Sequence, residues 1–308
     1  MVSTNKKTKS EQGLAPQTPK GHRLSAHAVR LHGSNILFML PAFVLFAYVV
    51  LIPFFQGLPY SLTNWKSIIS KKDPDFVGLN NYKIMLQNPY FINAFKHTFQ
   101  FTLIYELGAN ALGLLFALLL FRSSKFANFC RTMMFVPFTT ALTSAAIVWS
   151  YVYTDVYSVL FGAASPLGQS DQVVAGMAVI AIWRDAGYCM LIYIAGLKAI
   201  PGDYYEAARI DGANWWQQFT RVTLPLLIPS FTSNVTLLLA WGLKCFDYPM
   251  AVARNMEAAQ TTSMFVYDYI FGYSKAGLGQ AAAVILTIVL VSLTKVVTYF
   301  FRKSEVEA

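Results

Sequence analysis

YYEAARIDGANWWQQF, residues 204–219, stands between two long apolar segments, residues 173–197 and 224–246. An apolar run of about 20 residues is long enough to cross a bilayer as a helix. The quoted stretch carries acids, an arginine and amides, which are costly in a membrane core. It therefore predicts a polar connection at one face of the membrane, between two spans of an all-α integral membrane protein.

The connection has the pattern of two short helices joined by a glycine turn. We expect Asp203 to cap the first helix, with Glu206 at its third position. Gly212 suits the left-handed conformation that closes a helix, and Asn214 is placed to cap a second helix over residues 215–222. Helices that rest on lipid favour a Lys/Arg-rich polar face, whereas this insert has more acids than bases, which favours a protein partner.

The whole chain has the composition of a membrane protein. Of its 308 residues, 56% are hydrophobic and 13% are charged, whereas soluble domains carry about 25% charged residues. The net charge is +9, but the basic residues lie mostly at the ends of apolar runs, so no nucleic-acid partner is expected. Cys130, Cys189 and Cys245 lie far apart and indicate neither a disulfide framework nor a metal site.

Six apolar runs follow a polar tail. Residues 1–34 are predicted to form a disordered basic cytoplasmic tail, and residues 35–308 a six-span domain. The predicted spans are residues 36–58, 99–121, 133–153, 173–197, 224–246 and 281–301. Within them lie Glu106, Arg184 and Asp185, and charges inside spans usually face the bundle interior or a water-filled cavity. These three are therefore candidates for a functional site.

The basic residues also predict the orientation. With both termini inside, the cytoplasmic segments hold 14 Lys and Arg and the external segments hold 7. Cytoplasmic loops normally carry the excess of Lys and Arg. The sequence thus predicts a multi-pass protein of the inner (cytoplasmic) membrane, N-in and C-in, with residues 204–219 in the cytoplasm.

Several motifs resemble one family of transport proteins. EAARIDGA (206–213) followed by FTRVTLP (219–225) resembles the EAA loop of permease subunits of binding-protein-dependent (type I) ABC importers. LPAFVLFAYVVLIPFFQGLPYSLTNW (40–65), FVGLNNYKIML (76–86) and LKAIPGDYYEAA (197–208) resemble the carbohydrate branch, and in it the first permease of maltose-type transporters. The chain departs from that branch after the fifth span, where DYPMAVARNMEAAQTT (247–262) replaces the usual Gly-Gly-Pro turn.

The resemblance implies a function, partners and a coupling site. It implies half of the translocation pathway of an ATP-driven oligosaccharide importer. The expected partners are a second homologous permease in a heterodimer, a cytoplasmic ATPase dimer that holds ATP and Mg²⁺, and an external solute-binding protein. The residues expected to dock on the ATPase are Tyr205, Glu206, Ala207, Ala208, Asp211, Gly212, Ala213 and Phe219.

The resemblance also carries a substrate site onto this chain by ungapped alignment from Glu206. The residues concerned are Trp183, Arg184, Asp185, Tyr188, Trp241, Gly242 and Cys245. Aromatic rings suit the apolar faces of sugars, and charged side chains suit their hydroxyls. The alternative is that Arg184 pairs with Asp185, Glu106 or Asp247 and only holds helices together.

Other functions stay open. Arg184 and Lys244 together in the pathway would suit an anionic, uronate-containing oligosaccharide or another sugar derivative. An ion-coupled secondary transporter would use Glu106 and Asp185 as relays, although inverted repeats are not visible. An intramembrane enzyme is the third possibility. The chain lacks G-x-x-x-x-G-K-[ST], H-E-x-x-H and G-x-S-x-G motifs, so we expect no catalytic site and no cofactor in it.

Overall fold

The computed structural model describes residues 38–67, 69 and 73–304. The predicted tail, residues 1–34, lies outside the described residues. Contacts divide the chain into two units, one ending at Phe55 and one running from Gln56 onward. The described residues are helical apart from turns, loops and one isolated antiparallel bridge between Thr63 and Phe76. The prediction of an all-α protein is confirmed for these residues.

Twelve helices are labelled here in chain order. They are α1 (Phe38–Tyr60), α2 (Asn80–Gln87), α3 (Pro89–Leu120), α4 (Lys125–Phe135), α5 (Leu142–Tyr151), α6 (Val173–Ala199), α7 (Gly202–Ile210), α8 (Trp215–Gln218), α9 (Ile228–Leu243), α10 (Asp247–Val252), α11 (Thr262–Tyr267) and α12 (Ala276–Lys303). Wider π turns extend three of them, at Val152–Tyr157 after α5, Phe219–Thr223 after α8 and Asp268–Gly272 after α11.

Four helices are each long and apolar enough to cross a membrane, namely α1, α3, α6 and α12. Two further segments qualify only as bent pairs, Lys125–Thr139 with Leu142–Phe161 and Trp215–Leu226 with Ile228–Leu243. If each pair is one span, the described residues hold up to six spans. The helix that contains the predicted second span begins earlier than residue 99: α3 starts at Pro89, and Asn88 accepts a hydrogen bond from the Tyr90 amide.

The prediction of one continuous helix over residues 133–153 is wrong. The chain bends by 102° between the helical arms Lys125–Thr139 and Leu142–Phe161. Pro137, which lacks an amide hydrogen, lies in a short 3₁₀ turn, and Thr140 and Ala141 are extended. A break inside a membrane frees backbone carbonyls that need donors. Here the Thr140 carbonyl accepts a hydrogen bond from Arg184 Nε at 3.2 Å.

The central helix of the second unit is α6, which is buried along most of its length. Small residues let its neighbours approach closely, as is common between membrane helices. A methyl group added at Gly108 or Gly113 of α3 would collide with Ile182 or Cys189 of α6. On another side of α6, Gly187 lies directly against the Met134 carbonyl of α4. The positions of α3, α4 and α6 are therefore fixed closely.

Arg131 of α4 holds the end of α3. Its Nε donates to the Leu120 carbonyl at 2.9 Å, and its Nη2 donates to the Phe121 and Arg122 carbonyls at 3.0 and 3.2 Å. Carbonyls in the last turn of a helix have no partner within that helix. One guanidinium therefore satisfies the Leu120 carbonyl and the two carbonyls that follow it, and ties α4 to the end of α3.

Arg131→Met is expected to lower the melting temperature of the purified protein. Hydrogen bonds to charged groups are worth roughly 1.5–3 kcal/mol each, and this change removes all of those at the end of α3. Thermal unfolding in detergent measures the effect. Arg122→Met is the matched control, because that side chain is exposed and makes no hydrogen bond in the described structure. Equal shifts for both variants would contradict the role given to Arg131.

Candidate functional site

A cavity of about 270 Å³ lies between α3, the break before α5, α6 and the end of α9. Four residues of the predicted substrate site line it: Arg184, Asp185, Trp241 and Cys245. The other residues that line it are Phe101, Tyr105, Phe138, Leu142, Ala181, Lys244, Phe246, Asp247 and Tyr248. The cavity therefore brings together side chains from at least three spans.

Arg184 and Asp185 pair with each other in the cavity wall. Arg184 Nη1 and Asp185 Oδ1 lie 2.5 Å apart, and their side chains are 15% and 4% exposed. The Tyr105 hydroxyl donates to Asp185 Oδ2 at 2.5 Å. Arg184 also reaches the Thr140 carbonyl and lies over the Phe138 ring, 5.0 Å from its centroid. The pair thus joins α3, α6 and the break before α5.

Glu106, the other candidate for an intramembrane relay, does not line this cavity. Its Oε1 accepts a hydrogen bond from Asn110 at 2.8 Å. The one ion pair within residues 38–67, 69 and 73–304 is Arg184 with Asp185, so Glu106 has no cation partner in that part of the chain. Glu106 and Asp185 accordingly belong to separate hydrogen-bond networks.

Three aromatic rings form a cluster at the cavity. Phe138 stacks on Tyr188 with ring centroids 4.8 Å apart, and Trp241 lies 6.2 Å from Phe138 and 5.6 Å from Tyr188. Phe138 and Trp241 line the cavity directly. The proline turn that holds Phe138 supports this arrangement, because it places the ring beside α6 and α9.

Two predicted substrate residues lie elsewhere. Trp183 is 39% exposed and packs edge-on against Trp149, with centroids 5.7 Å apart. Gly242 is buried against Thr102, where even a methyl group would collide. Sequence reasoning missed Phe138, which lies in an unbroken apolar run and has no local signal except the neighbouring Pro137.

The charged side chains that line the cavity have equal numbers of positive and negative charges. Arg184 and Lys244 are cationic, and Asp185 and Asp247 are anionic. Arg184 and Asp185 neutralise each other directly, whereas Lys244 and Asp247 make no ion pair within the described ranges. This wall presents no net charge to a solute.

The polar insert, residues 204–219, folds as two short helices with a glycine turn. Gly212 has φ +76°, the Gly212 amide donates to the Arg209 carbonyl at 3.1 Å, and the Ala213 amide donates to the Ala208 carbonyl at 2.9 Å. These two bonds form a Schellman closure of α7. Asn214 caps α8, and Gln217 completes a capping box. Asp203 is not the cap as predicted: α7 starts at Gly202 after Pro201, with no side-chain cap.

The insert leaves both charged and apolar side chains without cover. Glu206 and Asp211 are exposed. Ile210 is 86% exposed and Trp215 is 69% exposed. Of the remaining predicted docking residues, Ala207 and Gly212 are exposed, and Tyr205, Ala208, Ala213 and Phe219 are half-buried. Tyr205 bonds to Thr223 through their hydroxyls at 3.0 Å, which holds α7 to the start of the next span.

Comparison with known proteins places most of this chain in one family. Residues 109–305 match the family described as "Binding-protein-dependent transport system inner membrane component". The "Probable starch degradation products transport system permease protein AmyD" of Thermoanaerobacterium thermosulfurigenes is 31% identical over 88% of this chain and 94% of its own. The "Multiple sugar-binding transport system permease protein MsmF" of Streptococcus mutans is 32% identical over 77% and 84%.

The fold also has a solved counterpart. A chain of a bacterial alginate ABC transporter, in complex with an alginate pentasaccharide-bound periplasmic protein, superposes with a TM-score of 0.75. It is 19% identical, over 90% of this chain and 96% of that one. The fold and the match over residues 109–305 agree. This chain belongs to the family of inner membrane components of binding-protein-dependent transport systems, and is a multi-pass membrane protein.

Proposed function

We propose that this chain is a permease subunit of an ATP-driven importer for neutral oligosaccharides. It provides half of the pathway, and a second homologous permease provides the other half. The observation that carries the sugar assignment is the aromatic cluster of Phe138, Tyr188 and Trp241 beside a charge-balanced cavity. Apolar ring faces and polar edges together suit a sugar. The names of the starch-product and multiple-sugar relatives support the same assignment.

The balance of charge favours a neutral substrate over a uronate-containing one. A site for polyanions needs an excess of cations in its wall, and this wall has two cations and two acids. The one guanidinium is already engaged with Asp185 and the Thr140 carbonyl. Lys244 and Asp247 stay available for hydroxyl groups. Uronate oligosaccharides are therefore the informative competitor in transport assays.

In the proposed mechanism the polar insert faces the cytoplasm and transmits force. A separate ATPase dimer, which binds ATP and Mg²⁺, holds α7 in a surface cleft through Glu206 and the exposed Ile210. An external solute-binding protein delivers the sugar. Closure of the ATPase dimer moves α7, and the Tyr205–Thr223 contact passes that movement to α9, which carries Trp241. The cavity then switches between opening to the cytoplasm and opening to the external side of the membrane.

Oligosaccharide uptake that needs ATP and survives an uncoupler is the expected result in proteoliposomes. The assay contains this chain, the second permease, the ATPase and the solute-binding protein, with labelled maltodextrins as the probe. Uptake that collapses with the uncoupler would instead favour an ion-coupled transporter. Uptake blocked by a uronate oligosaccharide more effectively than by a neutral one would move the assignment to an anionic sugar.

Trp241→Ala is expected to reduce maltodextrin uptake about fivefold, because an aromatic stacking partner is worth about 1 kcal/mol. Trp183→Ala is the paired variant, and its effect should be smaller because that ring packs on Trp149 rather than on the cavity. Uptake normalised to the amount of assembled transporter measures both. A larger loss for Trp183→Ala would show that the cavity is not the sugar site.

A further inference from the structure

A second pocket lies where α3 and α12 begin. Tyr90, in the first turn of α3, and Lys275, just before α12, both line it, so the proposed orientation puts it on the external side. Its volume is about 590 Å³, against about 270 Å³ for the central cavity. Small-molecule sites typically occupy about 300–1,000 Å³. The outer pocket lies inside that range, whereas the part of the central site built by this chain lies below it.

Tyrosine rings form one side of the outer pocket. Tyr90 is 56% exposed and Tyr273 is 61% exposed, so both side chains are accessible to a solute. Tyr269 packs edge-on against Tyr273 with centroids 5.5 Å apart, and stacks on buried Phe265 at 4.1 Å. Rings of this kind offer a large contact area and a hydroxyl at the edge. They match the alternating apolar faces and hydroxyl rims of sugars.

Charged side chains form the other side. Arg254 and Lys275 are cationic, and Glu257 and Asp268 are anionic. None of the four makes an ion pair within residues 38–67, 69 and 73–304. Asp268 accepts a hydrogen bond from the Gln260 side-chain amide at 3.1 Å. The other three charged side chains make no hydrogen bond in the described residues and are available for charge-assisted hydrogen bonds to hydroxyls. The outer pocket therefore repeats the chemistry of the central cavity, with aromatic rings and balanced charges.

Contacts between side chains link the linings of the two pockets. Phe246 lines the central cavity, and its ring lies 5.3 Å from that of Tyr267. Arg254 lines the outer pocket and lies over the Tyr267 ring, 5.8 Å from its centroid. The Thr261 hydroxyl donates to the Cys245 carbonyl at 2.6 Å, which ties the two walls together. The two pockets are therefore adjacent, with the Phe246 and Tyr267 rings between them.

Hydrogen bonds to α3 and to the residue before it hold the outer pocket in shape. The Asn88 side-chain amide donates to the Tyr269 hydroxyl at 2.9 Å, and the His97 ring meets the Gln260 carbonyl at 3.2 Å. A preformed site loses less entropy when a ligand binds. Part of the lining comes from residues 247–262, the segment in which the sequence departs from the carbohydrate-branch pattern. This departure gives the chain its own outer surface.

We propose that the outer pocket binds the trailing units of a neutral oligosaccharide whose leading units occupy the central cavity. The proposal rests on the proposed function, since it assumes that the central cavity holds sugar. It makes the pocket a determinant of chain length: short sugars fit the central site alone, and longer ones gain contacts with Tyr273 and Arg254.

Uptake of maltose and of maltoheptaose by the complete four-component transporter tests the proposal. The outer variant Tyr273→Ala/Arg254→Gln is expected to raise the half-saturating concentration for maltoheptaose about fivefold and to leave maltose uptake unchanged. Tyr273→Phe, which keeps the ring, should stay close to wild type with both sugars. Lys83→Gln, a change on α2 outside the pocket, is the surface-charge control.

Each other outcome overturns the proposal and points elsewhere. An equal loss with maltose and maltoheptaose would make the pocket a contact for the solute-binding protein, because docking precedes transport of any sugar. No change with either sugar would show that the pocket is not used. If the wild-type transporter takes up neither sugar, and Trp241→Ala takes up no less than wild type, the proposed function fails as well. That outcome is distinct from failure of the outer-pocket proposal alone, in which wild-type uptake of both sugars is normal.

Discussion

Gly212→Val is expected to reduce ATP-driven transport at least tenfold while the chain still inserts into the membrane. Gly212 has φ +76°, a left-handed conformation that costs an ordinary residue roughly 1–2 kcal/mol and a β-branched one more. The cost falls on the turn that sets α7 relative to α8. We expect α7 to lose the closure made by the Ala213 and Gly212 amides and to present Glu206 wrongly to the ATPase.

A glycine in the same insert provides the matched control. Gly202 begins α7, and neither Gly202 nor Gly212 has a neighbour within 4 Å of an added methyl group. Gly202 lacks the positive φ, however, so only Gly212 demands the left-handed conformation. Gly202→Val should therefore transport at close to the wild-type rate. Equal losses would show that side-chain bulk, rather than the turn, disturbs the insert.

Asp185→Asn is expected to lower the melting temperature of the transporter more than any other single change at the cavity. The variant leaves the Arg184 guanidinium without its counterion at a site where the two side chains are only 15% and 4% exposed. Breaking a buried pair by removing one partner costs about 3–5 kcal/mol. The introduced amide oxygen would still accept a hydrogen bond from the Tyr105 hydroxyl. The fall in melting temperature therefore measures the loss of the negative charge.

The double variant Arg184→Gln/Asp185→Asn is expected to melt closer to wild type than Asp185→Asn alone. Residues in contact show coupling of about 0.5–3 kcal/mol in such cycles. Because Arg184 is held by Asp185, the Thr140 carbonyl and Phe138, we also expect maltodextrin uptake to recover together with stability. Stability that recovers without uptake would support the prediction from sequence that this pair contacts the sugar. Strictly additive melting shifts would contradict the pairing.

Local signals in the sequence were enough to predict the polar insert. The conformation of Gly212 and the cap at Asn214 depend on residues a few positions away, and both are confirmed. The cap assigned to Asp203 was wrong because Pro201 and Gly202 start the helix earlier. A helix start is typically defined only to within one or two residues.

The cavity was harder to predict because its shape depends on contacts between distant segments. Residues 133–153 are mostly apolar and carry no charge, so composition alone predicts an unbroken span. The break at Thr140 is stabilised by Arg184, which lies on another helix, and the partner of Asp185 is Tyr105 on a third. Trp183 and Trp241 look alike in the sequence, yet only Trp241 lines the cavity.

The outer pocket had no counterpart in the sequence. Arg254 and Glu257 lie in residues 247–262, which depart from the carbohydrate-branch pattern, and Tyr90 is more than 150 residues away in the chain. Hydrogen bonds from Asn88 and His97 to Tyr269 and Gln260 help to bring these distant segments together. Such juxtapositions follow from packing and not from periodicity.

The most direct test of the central claim, that this chain is a permease subunit docked to an ATPase through residues 204–219, is co-purification. The chain is tagged at its C-terminus, expressed with its neighbouring genes and extracted gently. We expect a second six-span permease and an ATPase to accompany it in fixed ratio, with the ATPase lost from Gly212→Val and retained by Gly202→Val. A stable chain that purifies alone and transports its solute on an ion gradient would contradict the claim.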